Sequence, residues 1–171
     1  MNFMDLAKER YSVRKFTDKK VEQEKLDLIL EAGRIAPTGA NNQPQKIYVL
    51  QSKEALDKIN ENCKCIFGAQ TVLMITNDRD REWKNPLEPG VAAGVEDVSI
   101  VAAHMMLEAW ELGIGSCWVN FFSPSAVKKA FDLPKNEEVV LLLPIGYADK
   151  LSRPSAMHKK GRELGDMVTV L

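Results

Sequence analysis

Several things are scarce in this sequence, and each scarcity excludes something. Of its 171 residues only three are cysteine and two histidine. Cys63, Cys65 and Cys117 are an odd set that cannot form a disulfide framework and that suits a reducing compartment. Cys63-Lys64-Cys65 lacks the two-residue gap of a zinc knuckle and no second pair follows, so no metal is expected. The formal net charge is −1, which argues against broad electrostatic binding to nucleic acid or to an anionic membrane. No apolar run approaches the roughly 20 residues that span a bilayer. The Asn2, Phe3 and Asp5 opening has neither the basic segment nor the apolar core of a secretory signal, so a cytoplasmic location is expected. No repeat, low-complexity tract or Pro/Gly/Ser linker interrupts the chain, which reads as a single domain over 1–171. No Gly-x-Gly-x-x-Gly follows a strand, and there is no Walker-type Gly-Lys-Ser/Thr or nucleophile elbow. A dinucleotide fold, a P-loop and a Ser/His/Asp hydrolase are therefore not expected.

Hydrophobic patterning sets out the elements. Residues 2–9 read as a short helix and Val21 to Ile35 as a stronger one, with Leu26, Ile29, Leu30 and Gly33 at helical spacing and Pro37 ending it. Lys46 to Gln51 reads as a strand, and Ser52 caps a helix to about Asn60. Thr71 to Thr76 is a buried-type strand. Gly90 to Leu112 is the longest helix and is apolar on nearly all sides, which points to burial in the core and against a partner. His104 within it reads as a core or interface histidine. Ser116 to Phe121 reads as an extended strand, Ser123-Pro124 as the start of a helix to Phe131, and Val139 to Ile145 as a continuous apolar strand. The tail from Leu151 is polar and basic until Met167 to Leu171, which is expected to pair at a sheet edge. The tail has too little core to stand free and is expected to wrap a neighbour. The fold expected is α+β, a mixed sheet flanked by helices.

Two runs carry chemistry. Arg10-Tyr11-Ser12-Val13-Arg14-Lys15-Phe16 sets two guanidinium groups around a hydroxyl, a donor set suited to phosphate. Ala36-Pro37-Thr38-Gly39-Ala40-Asn41-Asn42-Gln43-Pro44 is a helix exit followed by small residues and three side-chain amides, suited to the rim of a flat, polar-edged ring. Taken alone, the same residues also suit an exposed helix end and an ordinary loop.

Together with Glu-Leu-Gly-Ile-Gly-Ser-Cys-Trp-Val after the long helix, Pro-Ile-Gly-Tyr-Ala after the last strand and a basic stretch near the C-terminus, these runs resemble the FMN-dependent nitroreductase family. The five motifs occur in that family's order over nearly the whole chain. The resemblance implies a nitroreductase-like fold and a homodimer. The long helix would lie at the interface, the C-terminal extension would wrap the partner, and two FMN sites would be lined by both chains. It also implies hydride transfer from NADH or NADPH to the flavin and on to a small acceptor such as a nitroaromatic or quinone, by ping-pong kinetics.

Residue by residue, the resemblance assigns Arg10 and Ser12 to the phosphate, Tyr11 between them to the cofactor site, and Arg14 to the pyrimidine edge of the flavin. Pro37, Thr38 and Gly39 would touch the ring of the partner's FMN, with Asn41 and Gln43 holding loop or flavin. Ser116 to Phe121, including Cys117 and Trp118, would pass beside the ring, with a backbone N–H around Asn120-Phe121 directed at N5. Lys160 and Arg162 would close the phosphate site. No catalytic side chain is expected, because the flavin carries the chemistry. Many relatives carry Glu-Gly where this chain has Asn120-Phe121. That departure motivates an alternative, a flavin-binding carrier or sensor with little turnover. Trp83, Trp118 and Phe122 are candidates for the acceptor pocket or for packing.

Overall fold

In the computed structural model, which describes residues 2–171, two long apolar runs form the middle of a four-stranded sheet. The strands are β1 (Gln45–Leu50), β2 (Thr71–Asp78), β3 (Gly115–Ser116) and β4 (Glu137–Gly146), in the order β1-β2-β4-β3. All three pairings are antiparallel. The parallel component of the expected mixed sheet is confined to a bridge between Ser12 and Ser116.

β2 and β4 read as unbroken hydrophobic runs because both of their faces are covered. Leu73, Ile75, Leu141, Leu143 and Ile145 pack against α2 (Gln23–Arg34) and α4 (Gly94–Glu111), through Leu26, Ile29, Val98, Val101, Ala102 and Met105. Val72, Met74 and Leu142 face the other way. There they meet Ile59 of α3 (Lys53–Asn62), Val127 of α5 (Pro124–Ala130), and Val13 and Phe16 from the segment after α1 (Phe3–Glu9). The ladder slips by one residue between Ile75 and Thr76, so Val140 is left over. That bulge reverses the alternation and turns Val139 to the same side as Leu142. It also brings Glu137 inside, where its carboxylate accepts from Tyr48 Oη at 2.7 Å, Thr76 Oγ1 at 2.9 Å and Lys46 Nζ at 3.3 Å. Ser52 and Ser123 cap α3 and α5 as their sequence positions suggest, accepting from the Ala55 and Ala126 amides.

Four expectations change. The strand foreseen over Ser116–Phe121 is a ladder only at Gly115–Ser116. Beyond it the Cys117 amide donates to Pro144 O, and Pro144 has no N–H to return a bond. The chain continues beside β4 as far as an isolated bridge between Val119 and Leu142. The long helix starts at Gly94 rather than Gly90, because Gly90 has φ +92° and Ala92 bridges Lys84. His104 is exposed on this chain, its Nδ1 donating to Ile100 O at 2.8 Å. Residues 167–171 form no strand and are exposed, whereas His158, earlier in the tail, packs on Tyr11 of the same chain. Among the described residues no helix is long and apolar enough to cross a membrane.

Candidate functional site

Arg10 to Phe16 is an extended segment pinned to the β3 edge. Val13 and Phe16 are its buried anchors, and the Val13 amide donates to Ser116 O at 2.9 Å. With Val13 turned inward, its neighbours Ser12 and Arg14 face the opposite way, since side chains alternate along an extended chain. This seating needs two glycines. Gly115 and Gly146 face each other across the β3–β4 pair. A Cβ on Gly115 would lie 2.6 Å from Val13 Cγ2, and one on Gly146 would lie 3.2 Å from Phe16 Cδ1. The glycines of the Gly-Ile-Gly-Ser and Pro-Ile-Gly-Tyr motifs are therefore the floor on which the basic motif lies.

Ser12 and Arg14 line a cavity of about 200 Å³ with Ser155, Met157 and His158. Tyr11 forms one side of this corner, edge-on to Trp110 at 5.3 Å between ring centroids. Beneath lies Cys117, whose thiol is pushed up by burial against the opposing pull of Arg14, Ser12 and Arg10. Neither guanidinium has a carboxylate partner among the described residues. The hydroxyl of Ser116, 1% exposed, has no hydrogen-bond partner either. Guanidinium groups without counter-charge among the described residues, next to hydroxyls, are a donor set able to hold an anion.

The second run sits elsewhere, at the entry to β1. Ala40, Asn41 and Gln43 all adopt left-handed φ, at 49°, 56° and 50°. Such strain costs about 1–3 kcal/mol per residue and persists only where the surroundings impose it. Here they do. The Gly39 amide donates to Asp97 Oδ1 at 2.8 Å, the Gln43 amide donates to Thr38 Oγ1 at 3.1 Å, and Trp83 packs so closely that a Cβ on Gly39 would lie 2.9 Å from its own. Asp97 is buried and its Oδ2 has no partner. Pro37 and Asn41 are exposed, and Thr38, Gly39 and Gln43 half-buried.

The remaining expected residues are dispersed. Trp118 Nε1 donates to Asn120 Oδ1 at 2.5 Å, and Asn120 Nδ2 donates to the carbonyl of the bulged Val140 at 2.9 Å. The Asn120 side chain is therefore engaged in holding its own strand. Phe121 is 86% exposed, and its carbonyl accepts from Cys63 Sγ at 3.8 Å. Lys160 and Arg162 are exposed, with Arg162 Nη2 donating to Asp166 O at 2.6 Å. The tail residues that reach the cavity are Ser155, Met157 and His158. Trp83 packs on the loop, while Phe122 joins the core beside Val127. Sequence reasoning missed His158, Ser155 and Asp97. Of these Asp97 had a readable signal, a carboxylate on the stripe that carries Val98, Val101 and Met105.

The sequence model of the Nitroreductase family matches residues 7–67 and 61–147. Over 99% of its length the chain is similar to a nitroreductase family protein from Clostridium difficile 630, with 41% identity, a TM-score of 0.92 and 98% of that chain covered. An FMN-dependent nitroreductase from Clostridium difficile R20291 shares 28% identity at a TM-score of 0.75, covering 96% of this chain and 94% of its own. An FMN reductase [NAD(P)H] from Bacillus subtilis is 29% identical over 161 residues, 83% of this chain and 64% of that protein.

Proposed function

The chain belongs to the nitroreductase family, and from that premise we propose that it is an FMN-dependent NAD(P)H oxidoreductase acting on nitroaromatic, quinone or similar small acceptors. The observation that carries the reading is the pair of guanidinium groups around Ser12, Arg10 and Arg14, which have no carboxylate partner among the described residues. They fit a phosphate monoester, and the cavity that Ser12 and Arg14 line is smaller than the roughly 300 Å³ at which pockets for whole drug-sized ligands begin. It suits the phosphate end of FMN and leaves the ring to be held elsewhere. Bound FMN supplies the redox chemistry, taking a hydride from NADH or NADPH and passing it to the acceptor.

The chain's own residues do the rest. Arg10, Tyr11 and Ser12 bind and orient the phosphate end. Arg14 lines the same cavity as Ser12, so its charge goes to the phosphate here, in place of the pyrimidine edge that the resemblance gives it. The backbone from Cys117 to Phe121 offers N–H groups beside the ring, and it does so without the Asn120 side chain, which Val140 and Trp118 occupy. Pro37, Thr38, Gly39, Asn41 and Gln43 cover the ring from a loop whose strained shape Asp97 holds. Lys160 and Arg162 close the phosphate end from the tail.

Where these parts lie supports a homodimer. The loop opens into β1 and the basic motif borders β3, which are opposite edges of the sheet. Three strand spacings put them about 14 Å apart, before the width of either segment is counted. A second copy brings its loop to the first copy's basic motif without bending either chain. The apolar face that would join the copies is open on α1, α2 and α4, with Phe3, Met4, Leu28, Ile35 and Ile100 exposed.

Steady-state rates with NADH or NADPH and a quinone, each varied against the other, test the mechanism. Parallel double-reciprocal lines are expected, as two substrates using one ring face in turn require. Intersecting lines would contradict sequential occupation of a single site.

A further inference from the structure

The middle of the tail returns to the basic motif of its own chain, and one histidine makes the contact. His158 Nε2 donates to the Lys8 carbonyl at 3.1 Å, and its ring lies edge-on to Tyr11 at 6.3 Å between centroids. It lines the same cavity as Ser12 and Arg14. With Nε2–H committed to Lys8, Nδ1 is the ring nitrogen left to gain or lose a proton. The charged side chain that lines the cavity with it is Arg14. Tyr11 contributes only a neutral phenol.

We propose that His158 is a proton-linked ligand of the phosphate group: a phosphate dianion in the Ser12–Arg14 cavity draws a proton from solvent onto His158 Nδ1, and the resulting imidazolium latches the tail over the bound group. The inference rests on the FMN reading above and adds to it a residue and a pH dependence. A dianion beside the ring favours the imidazolium over the neutral form. The complex then holds one proton more than its separated parts, so raising the pH favours dissociation. Histidine changes charge between pH 5 and 8, and a phosphate monoester becomes a dianion above about pH 6. FMN affinity is accordingly expected to fall about fivefold between about pH 6.5 and 8.5, as His158 Nδ1 loses the proton of its charge-assisted hydrogen bond.

The test is equilibrium binding by flavin fluorescence, using the full chain and His158→Gln, with FMN and with riboflavin, which lacks the phosphate. The expected result is an FMN Kd about fivefold weaker at the higher pH in the unaltered chain. Riboflavin should bind equally at both pH values, and His158→Gln should remove the FMN difference. An FMN Kd that does not change with pH, a slope that survives in His158→Gln, or a slope shared by riboflavin would overturn the latch while leaving the FMN reading in place. Failure of both flavins to bind at either pH would overturn that reading and the latch with it.

Discussion

Replacing Arg10 and Arg14 together by alanine is expected to weaken FMN binding by roughly a hundredfold or more while leaving the fold intact. A charge-assisted hydrogen bond to phosphate contributes about 1.5–3 kcal/mol, so even the low end for two guanidinium groups comes to about 3 kcal/mol, or two decades in Kd. The fold does not depend on either charge. Neither arginine has a carboxylate partner among the described residues, and the segment is anchored by Val13 and Phe16 instead. Thermal unfolding of the flavin-free protein should therefore move by no more than about 0.5 kcal/mol. Riboflavin is the informative comparison: a phosphate grip predicts a much smaller loss for it than for FMN. Equal losses for both flavins would place the arginines against the ring alone and remove the phosphate assignment.

Gly115→Ala is expected to damage stability and the site together. The added methyl would stand 2.6 Å from Val13 Cγ2, 3.1 Å from Val13 Cβ and 3.3 Å from the Gly146 carbonyl oxygen, all in a region with no free volume. Forced overpacking of this kind costs about 1–3 kcal/mol, a fall in Tm of roughly 5 °C for a chain of this size. The strand backbone is held by β4, so Val13 is the group that must yield, and Ser12 and Arg14 move with it. FMN affinity should fall even well below the new Tm. Adding Val13→Ala removes the methyl that clashes, and affinity in the double variant should recover relative to Gly115→Ala alone. Strictly additive losses would show that Gly115 does not serve to seat Val13.

How much of this was open to sequence reasoning depended on how local the cause was. Caps at Ser52 and Ser123 are decided within three residues, and both were readable. The β2 and β4 runs were readable as buried strands because burial on both faces leaves an unbroken apolar pattern. The bulge at Val140 was not, since a slipped register is a property of two strands and leaves no mark in either alone. The strand foreseen over Ser116–Phe121 failed for a similar reason: what interrupts its ladder is Pro144, on another strand. The basic motif was legible through its residue types, but the reason it holds its shape lies in Gly115 and Gly146, about 100 and 130 residues further on. His158 is the clearest case. One isolated histidine in a basic tail carries no periodic signal, and its partner is a backbone carbonyl 150 residues away. Asp97 differs, because a carboxylate on the inward stripe of an apolar helix calls for a partner, and the Gly39 amide supplies one to its Oδ1.

The central claim is that this chain uses a bound flavin to move electrons from a nicotinamide donor. Its most direct test is the visible absorption spectrum of the FMN-loaded protein before and after anaerobic addition of NADH or NADPH. The account predicts a flavin band that bleaches with at least one of the two donors and returns when a quinone or nitroaromatic is admitted. A bound flavin whose band persists with both donors would contradict it and leave a flavin carrier in its place.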